Sequence, residues 1–184
     1  GAGGRVNAYT SFDVTVYYAT LPREALAIGV DVLSDAVLHS VFDADEVRKE
    51  REVVLEEIRR SEDSPGHVLG DLLFRESFRL HPYRAPILGP AANVAGFERE
   101  KVRAFFERWY RPDNLVVVAA GDFDARELAG RIGEAFADAR PGAARRARVT
   151  EPQPDALRAA VLRRPFEAQR IDLAWPASRF RDDD

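Results

Sequence analysis

The 184-residue sequence contains no cysteine and no methionine. Without cysteine the chain has no disulfide, no thiolate metal ligand and no cysteine nucleophile. Without methionine it has no initiator residue, and the opening Gly1-Ala2-Gly3-Gly4 also reads as the middle of a sequence, so an internal piece of a longer protein is predicted. The missing signal peptide therefore does not fix the compartment, and both cytoplasm and periplasm stay open.

The sequence also has little excess charge of either sign, no long apolar run and few histidines. The formal net charge is −4 and no basic run is interleaved with aromatic residues, so nucleic acid is not expected as a partner. The longest apolar run, residues 115–120, is far too short to span a membrane. The three histidines, His39, His67 and His81, form neither an H-x-x-x-H nor an H-x-x-H pair. The sequence thus contains no compact zinc motif.

Hydrophobic periodicity predicts a chain that mixes helices and strands. Strands are predicted at residues 6–19, 115–120, 157–162 and 170–175. Helices are predicted from Pro22 to about His39, from Asp43 or Asp45 to about Arg60, and at residues 68–78, 98–109 and 125–137. A shift towards Pro, Gly, Ala and Arg at residues 141–154 predicts a linker. It would separate a domain covering residues 1–140 from the start of a second at residues 155–184.

The second predicted helix carries two glutamates on the side of its apolar residues. At about 3.6 residues per turn, Glu50 and Glu57 share a face with Val47 and Val54, so both carboxylates are predicted to point inwards. A carboxylate is rarely buried unless a partner accompanies it. A metal, a histidine, an arginine or water could be that partner, and the spacing alone favours arginine because no zinc motif is present.

A second candidate segment is the polar strand Asn7-Ala8-Tyr9-Thr10-Ser11. An exposed edge of this kind can bind an extended peptide by adding it as a strand. It can equally be an ordinary edge strand that polar residues protect from aggregation. The residues alone favour the ordinary edge, and they favour a structural turn over a metal ligand for His81-Pro82-Tyr83.

Several short motifs follow one another along nearly the whole chain. They are Gly3-Gly4-x-x-Asn7-Ala8-x-Thr10-Ser11, Glu50-Arg51-x-Val53-Val54-x-x-Glu57, Asp63-x-Pro65, His81-Pro82-Tyr83, Leu88-Gly89, Tyr110-x-Pro112-x-Asn114 and Gly121-Asp122. This succession resembles the M16 family of zinc metallopeptidases, which includes insulinase, pitrilysin and the mitochondrial processing peptidases. The resemblance implies an α+β fold of the LuxS/MPP-like metallohydrolase type, with helices layered on a mainly antiparallel sheet. Residues 1–140 would then be most of a first M16 domain, and residues 155–184 the start of a second.

The resemblance also implies roles for the two candidate segments. In that family an H-x-x-E-H motif supplies two histidine ligands and the general base, and a glutamate on a later helix completes the zinc site. The matching positions make Glu57 the third metal ligand and Glu50 a residue that supports the catalytic site from outside the ligand set. They also make Asn7, Ala8, Tyr9 and Thr10 the strand along which a peptide substrate lies, which reverses the preference of the residues alone.

One element of the family pattern is missing, because no H-x-x-E-H occurs in the sequence. Family spacing would put it roughly twenty residues before Gly1. Retention of both glutamates favours a fragment of a zinc metalloendopeptidase over a non-catalytic M16-like subunit or scaffold that binds a peptide or protein. The implied cofactor is Zn²⁺ in the intact protein, which this chain alone is not expected to bind. The implied partners are a peptide or protein substrate and a second M16 subunit or half.

Overall fold

A computed structural model describes residues 3–142 and 148–177 of the chain. The strands are β1 (Arg5–Thr10) and β2 (Thr15–Thr20). The helices are α1 (Leu26–Leu38), α2 (Ala44–Glu62), α3 (Pro65–Ser77), α4 (Ala91–Ala95), α5 (Arg99–Trp109) and α6 (Ala125–Ala135). Short 3-10 turns lie at Arg23–Ala25, Pro82–Arg84 and Pro112–Asn114. The chain divides into two compact units, Gly1–Lys49 with Phe97–Arg146, and Glu50–Gly96 with Ala147–Asp184.

The two strands form an antiparallel hairpin that confirms the strand pattern predicted near the start of the chain. Arg5 lies opposite Thr20 at one end of the ladder, and Thr10 lies opposite Thr15 at the other. The turn closes where the amide of Ser11 donates to the carbonyl of Val14 at 2.8 Å. The hairpin forms because alternating side chains and a short polar turn favour antiparallel pairing of neighbouring segments.

The predicted α+β fold is confirmed only in part. The described residues are rich in helix and contain one two-stranded antiparallel sheet, which is not the main sheet that the prediction required. Strands were predicted at residues 115–120, 157–162 and 170–175, and the structure shows no strand at any of the three. A strand needs a neighbour to bind its N–H and C=O groups. No such neighbour lies beside these segments among the described residues, and the side chains of Val116 and Val118 are 88% and 85% exposed.

Side-chain caps explain where two of the helices begin. Asp43 Oδ1 accepts hydrogen bonds from the amides of Asp45 and Glu46 at 2.9 and 3.1 Å, so Asp43, rather than Asp45, caps α2. Asp124 Oδ1 accepts from the amides of the second and third helical residues of α6 at 2.9 and 2.8 Å. Both caps satisfy amides that have no partner within the helix, and the predicted starts of these helices are confirmed.

The turn before α2 has an uncommon backbone conformation. Phe42 has a φ of 49°, which non-glycine residues adopt only when their surroundings hold them there. Arg99 of α5 donates from Nε to the carbonyl of Phe42 at 2.6 Å and from Nη2 to that of Val41 at 3.4 Å. The Phe42 ring also lies edge-on to Phe106, with centroids 5.0 Å apart. These contacts bind the turn to α5.

Each unit has a small apolar core. In the first unit, Ala25, Val37 and Leu128 are buried, and α1 packs against α6. In the second unit, the buried apolar residues are Ile58, Leu72 and Val94. Over residues 3–142 and 148–177, no helix is both long and apolar enough to cross a bilayer.

The last described stretch, residues 148–177, has neither helix nor strand. Only Glu151, Arg158 and Phe166 within it are partly shielded from solvent. The predicted linker at residues 141–154 and the predicted second domain at residues 155–184 both extend outside the described residues, and both stay predictions.

Candidate active site

The predicted substrate strand lies in β1, and all six residues of that strand are exposed. One edge of β1 pairs with β2, whereas no other described strand pairs with its second edge. The side chain of Asn7 accepts a hydrogen bond from the amide of Ala8 at 2.8 Å, so this donor is bound by the neighbouring side chain. The hydroxyls of Thr10 and Thr15 lie 3.2 Å apart across the hairpin. The segment is therefore an exposed edge strand with a polar surface.

The two glutamates of α2 do not point inwards as predicted, because both Glu50 and Glu57 are exposed. The shielded side of the helix instead runs through Val47, Arg51 and Ile58. At about 100° per residue, Glu50 and Glu57 lie roughly 80° around the helix from that side. A carboxylate at such a boundary turns to water because burying an unpaired charge is costly. The seven-residue spacing still places both on one side of α2, about 10 Å apart along its axis.

Glu50 and Glu57 differ from most acidic residues of the same helix. Asp45 and Glu46 form ion pairs with Arg48 and Lys49 at 2.8 and 2.6 Å. Glu52 and Glu56 also face arginines. Within the described part of the chain, the side chains of Glu50 and Glu57 make no hydrogen bond and no ion pair. The arginine partners that the spacing favoured are thus not found there, and both carboxylates are open to other ligands.

The described residues do not form a complete metal site. A protein zinc site needs three or four ligands, and no cluster of three or more His, Asp or Glu side chains in residues 3–142 and 148–177 could hold a metal ion. His39, just after α1, lies 3.4 Å from a carboxylate of that helix, and His67 lies 3.9 Å from a carboxylate of α3. His81 Nδ1 accepts from the amide of Tyr83 at 3.3 Å, which confirms its prediction as a structural turn. Zinc therefore does not fit these residues alone.

A pair of tyrosines lines a cavity in the first unit. The hydroxyls of Tyr17 on β2 and Tyr110 after α5 lie 2.7 Å apart. Burial raises the pKa of Tyr110 above its ordinary value, and the hydrogen bond with Tyr17 raises it further. The cavity has a volume of about 200 Å³ and is lined by Tyr17, Ala36, Ser40, Phe42, Val102, Phe105, Phe106 and Tyr110. The Tyr110-x-Pro112-x-Asn114 motif marks one tyrosine, but no sequence signal joins it to the other.

Comparison with protein families gives two matches that follow each other along the chain. Residues 1–91 match Insulinase (Peptidase family M16). Residues 96–184 match the Peptidase M16 inactive domain. Both segments therefore point to the same family as the ordered motifs.

Individual proteins show the same likeness. The chain is 40% identical over 120 residues to a Bacillus subtilis protein named "Uncharacterized zinc protease YmxG". The aligned region covers 65% of this chain and 29% of that relative. It is 37% identical over 134 residues to a Mycobacterium leprae protein also named as a zinc protease, covering 73% of the chain and 30% of that relative. The solved structure of a protease from Helicobacter pylori matches with a TM-score of 0.78 and 26% identity, over 82% of this chain and 38% of that one. The chain thus spans less than a third of the two curated relatives.

Proposed function

Because the chain belongs to the M16 family of peptidases, we propose that it is part of a zinc metalloendopeptidase that hydrolyses peptide bonds in extended peptides. The observation that carries the proposal is the state of Glu50 and Glu57. The resemblance of the motifs assigns them to the family's two glutamate positions, both are exposed on one side of α2, and no described residue pairs with either carboxylate. Relatives named as zinc proteases support the same chemistry.

In this proposal Glu57 supplies one carboxylate ligand to Zn²⁺, a role that glutamate fills in other zinc enzymes. Glu50, two turns before it, orients the site without binding the metal. The other ligands come from sequence outside these 184 residues. This division of the site agrees with the absence of a three-ligand cluster among the described residues.

The substrate would bind along the open edge of β1, over Asn7, Ala8, Tyr9 and Thr10. A peptide that adds there as a strand needs the outward donors and acceptors of β1. One of those donors, the amide of Ala8, is held by the side chain of Asn7 at 2.8 Å. Binding would therefore release the Asn7 side chain, whose amide group could then bond to the peptide backbone.

The first experiment uses the 184-residue chain itself. We expect it neither to bind Zn²⁺ tightly nor to cleave peptides, because Glu57 is a single ligand. Calorimetric titration with zinc chloride and a fluorogenic peptide assay test this. Tight zinc binding, or cleavage that a chelator stops, would refute the proposed division of the site.

The second experiment tests the function in a longer protein. An in-frame H-x-x-E-H in the genomic sequence upstream of Gly1 is expected, and a protein that includes it should cleave peptides and contain zinc. Glu57→Gln should then lower the zinc content severalfold. Glu62→Gln is the matched control, because Glu62 is an exposed glutamate at the end of the same helix. Equal zinc content in both variants would exclude Glu57 as a ligand.

An upstream sequence without H-x-x-E-H would instead support the second candidate, a non-catalytic M16-like subunit or scaffold that binds a peptide, a protein or a second M16 subunit. One observation supports this candidate, namely that β1 is exposed and no other described strand pairs with its second edge, because binding a peptide there needs no metal. Peptide binding along β1 would be retained in that case, whereas hydrolysis would be absent. An Asn7→Ala variant should change peptide affinity in either case.

A further inference from the structure

Residues 148–177 are held in place without secondary structure of their own. They form no helix or strand, and Glu151 and Arg158 are two of the only three residues there that are partly shielded. Apolar burial does not hold this stretch, since Leu157 is 96% exposed. Its position must therefore depend on specific side-chain contacts.

The carboxylate of Glu151 makes the most concentrated of these contacts. It accepts hydrogen bonds from three consecutive backbone amides, those of Arg79, Leu80 and His81, at 2.5, 2.9 and 2.7 Å. One carboxylate oxygen takes the first bond and the other oxygen takes the remaining two. Successive amides that converge in this way form a concave binding site for an anion. Hydrogen bonds to an ionised acceptor are stronger than those between neutral groups.

Two further contacts join the same two segments. Arg79 Nη2 donates to Asp155 Oδ1 at 2.8 Å, and Arg158 Nη2 donates to the carbonyl of Ser77 at 3.0 Å. Ser77 is the last residue of α3, where the carbonyls have no helical partner and where a cation is favoured by the helix dipole. Residues 151–158, which cross the end of the predicted linker, therefore bind both the end of α3 and the amides that follow it.

The charges around Glu151 agree with this geometry. Desolvation raises the pKa of the Glu151 carboxyl, but the three backbone hydrogen bonds and the nearby Arg158 outweigh it and bring the pKa below its usual 4.5. A hydrogen bond from its own backbone amide, followed by the Arg79 guanidinium, lowers the pKa of Asp155. On the segment after α3, the groups at this contact are the Arg79 guanidinium and the His81 amide. On the later segment they are Asp155 and Arg158, beside Glu151.

We propose that Glu151, Asp155 and Arg158 form a latch that ties residues 148–158 to the end of α3. The amides of Arg79, Leu80 and His81 are then a carboxylate-binding site whose built-in ligand is Glu151. The latch closes through charged hydrogen bonds rather than apolar burial, so removal of one carboxylate releases the segment while leaving the core intact.

Amide hydrogen exchange in the 184-residue chain, followed by NMR, tests the latch. In Glu151→Ala the amides of Leu80 and His81 should exchange on the order of tenfold faster, because each loses a charge-assisted hydrogen bond. The matched control is Glu167→Ala, which alters an exposed glutamate of the same stretch that has no hydrogen bond to any described residue. Equal rates in wild type and Glu151→Ala, or an equal rise in Glu167→Ala, would overturn the proposal.

A titration of the unmodified chain gives a test that does not depend on a variant. A lowered pKa means that the latch is closed above pH 4.5 and opens as the pH falls through the lower value of the folded state. The carboxyl carbon of Glu151 should therefore titrate below pH 4.5, the usual value for a glutamate carboxyl. A midpoint at or above pH 4.5 would show that the carboxylate does not occupy the three-amide site.

Discussion

The tyrosine pair of the first unit leads to a prediction about unequal substitutions. Tyr17→Phe and Tyr110→Phe each remove one hydroxyl from the same 2.7 Å hydrogen bond. Their costs should differ because the remaining hydroxyl is in a different environment. Tyr17 is 37% exposed, so its hydroxyl can turn to water when Tyr110 is replaced. Tyr110 is more shielded and stacks on Phe106 with centroids 4.5 Å apart, so its hydroxyl is harder to hydrate.

The magnitudes follow from the cost of an unsatisfied polar group. Tyr110→Phe should lower the free energy of unfolding by about 0.5–1 kcal/mol, the net value of one neutral hydrogen bond. Tyr17→Phe should lower it by about 1–2 kcal/mol, because a partly buried hydroxyl loses its partner. The double variant should be less destabilised than the sum of the two single variants, because removing both hydroxyls leaves neither unsatisfied.

Urea unfolding at pH 7, followed by the fluorescence of Trp109 in a Trp175→Phe background, measures these differences next to the tyrosine pair. Tyr18→Phe is the control, because Tyr18 is on the same strand, is 43% exposed and has no hydroxyl hydrogen bond to the described residues. The reasoning is refuted if Tyr110→Phe costs more than Tyr17→Phe, or if both costs equal that of the control.

Three further predictions concern stability. Asp124→Ala should lower the free energy of unfolding by about 1 kcal/mol, since the cap of α6 is lost, whereas Asp124→Asn should retain most of it in urea unfolding. Leu128→Ala should lower it by about 2–5 kcal/mol, because Leu128 is 5% exposed and a cavity remains; a thermal shift no larger than that of an exposed alanine substitution would contradict this. Above pH 10 the unfolded chain loses the Tyr110 proton while the folded chain keeps it, because the folded pKa is raised. Stability should therefore fall with rising pH, and less steeply in Tyr110→Phe.

The helices could be predicted because their signals are local. Asp124 followed by an apolar periodicity predicted a helix at residues 125–137, and the structure has it at Ala125–Ala135. The helix predicted at residues 98–109 is found at Arg99–Trp109. In both cases a cap or a stripe of apolar side chains within a few helical turns is enough to predict the helix.

Features that depend on distant partners could not be predicted in the same way. The apolar run at residues 115–120 has the composition of a strand, but a strand forms only beside another. The carboxylate of Glu151 binds amides 70 to 72 residues away, and no local pattern encodes such a contact. The candidate site could be predicted in part. The motifs identify Glu50 and Glu57, whereas the direction of their side chains depends on which side of α2 is packed.

The capped end of α2 is the point from which the angular positions of both glutamates are counted. Phe42 adopts its left-handed conformation where Arg99 binds its carbonyl at 2.6 Å, and the next residue, Asp43, caps α2. A helix turns by about 100° for every residue, so one residue inserted within α2 between Asp43 and Glu50 would turn both carboxylates by that angle relative to the cap. The number of residues between Asp43 and Glu50 therefore fixes the angle of both carboxylates from the capped end of α2, so a change of length there would redirect them without replacing either glutamate.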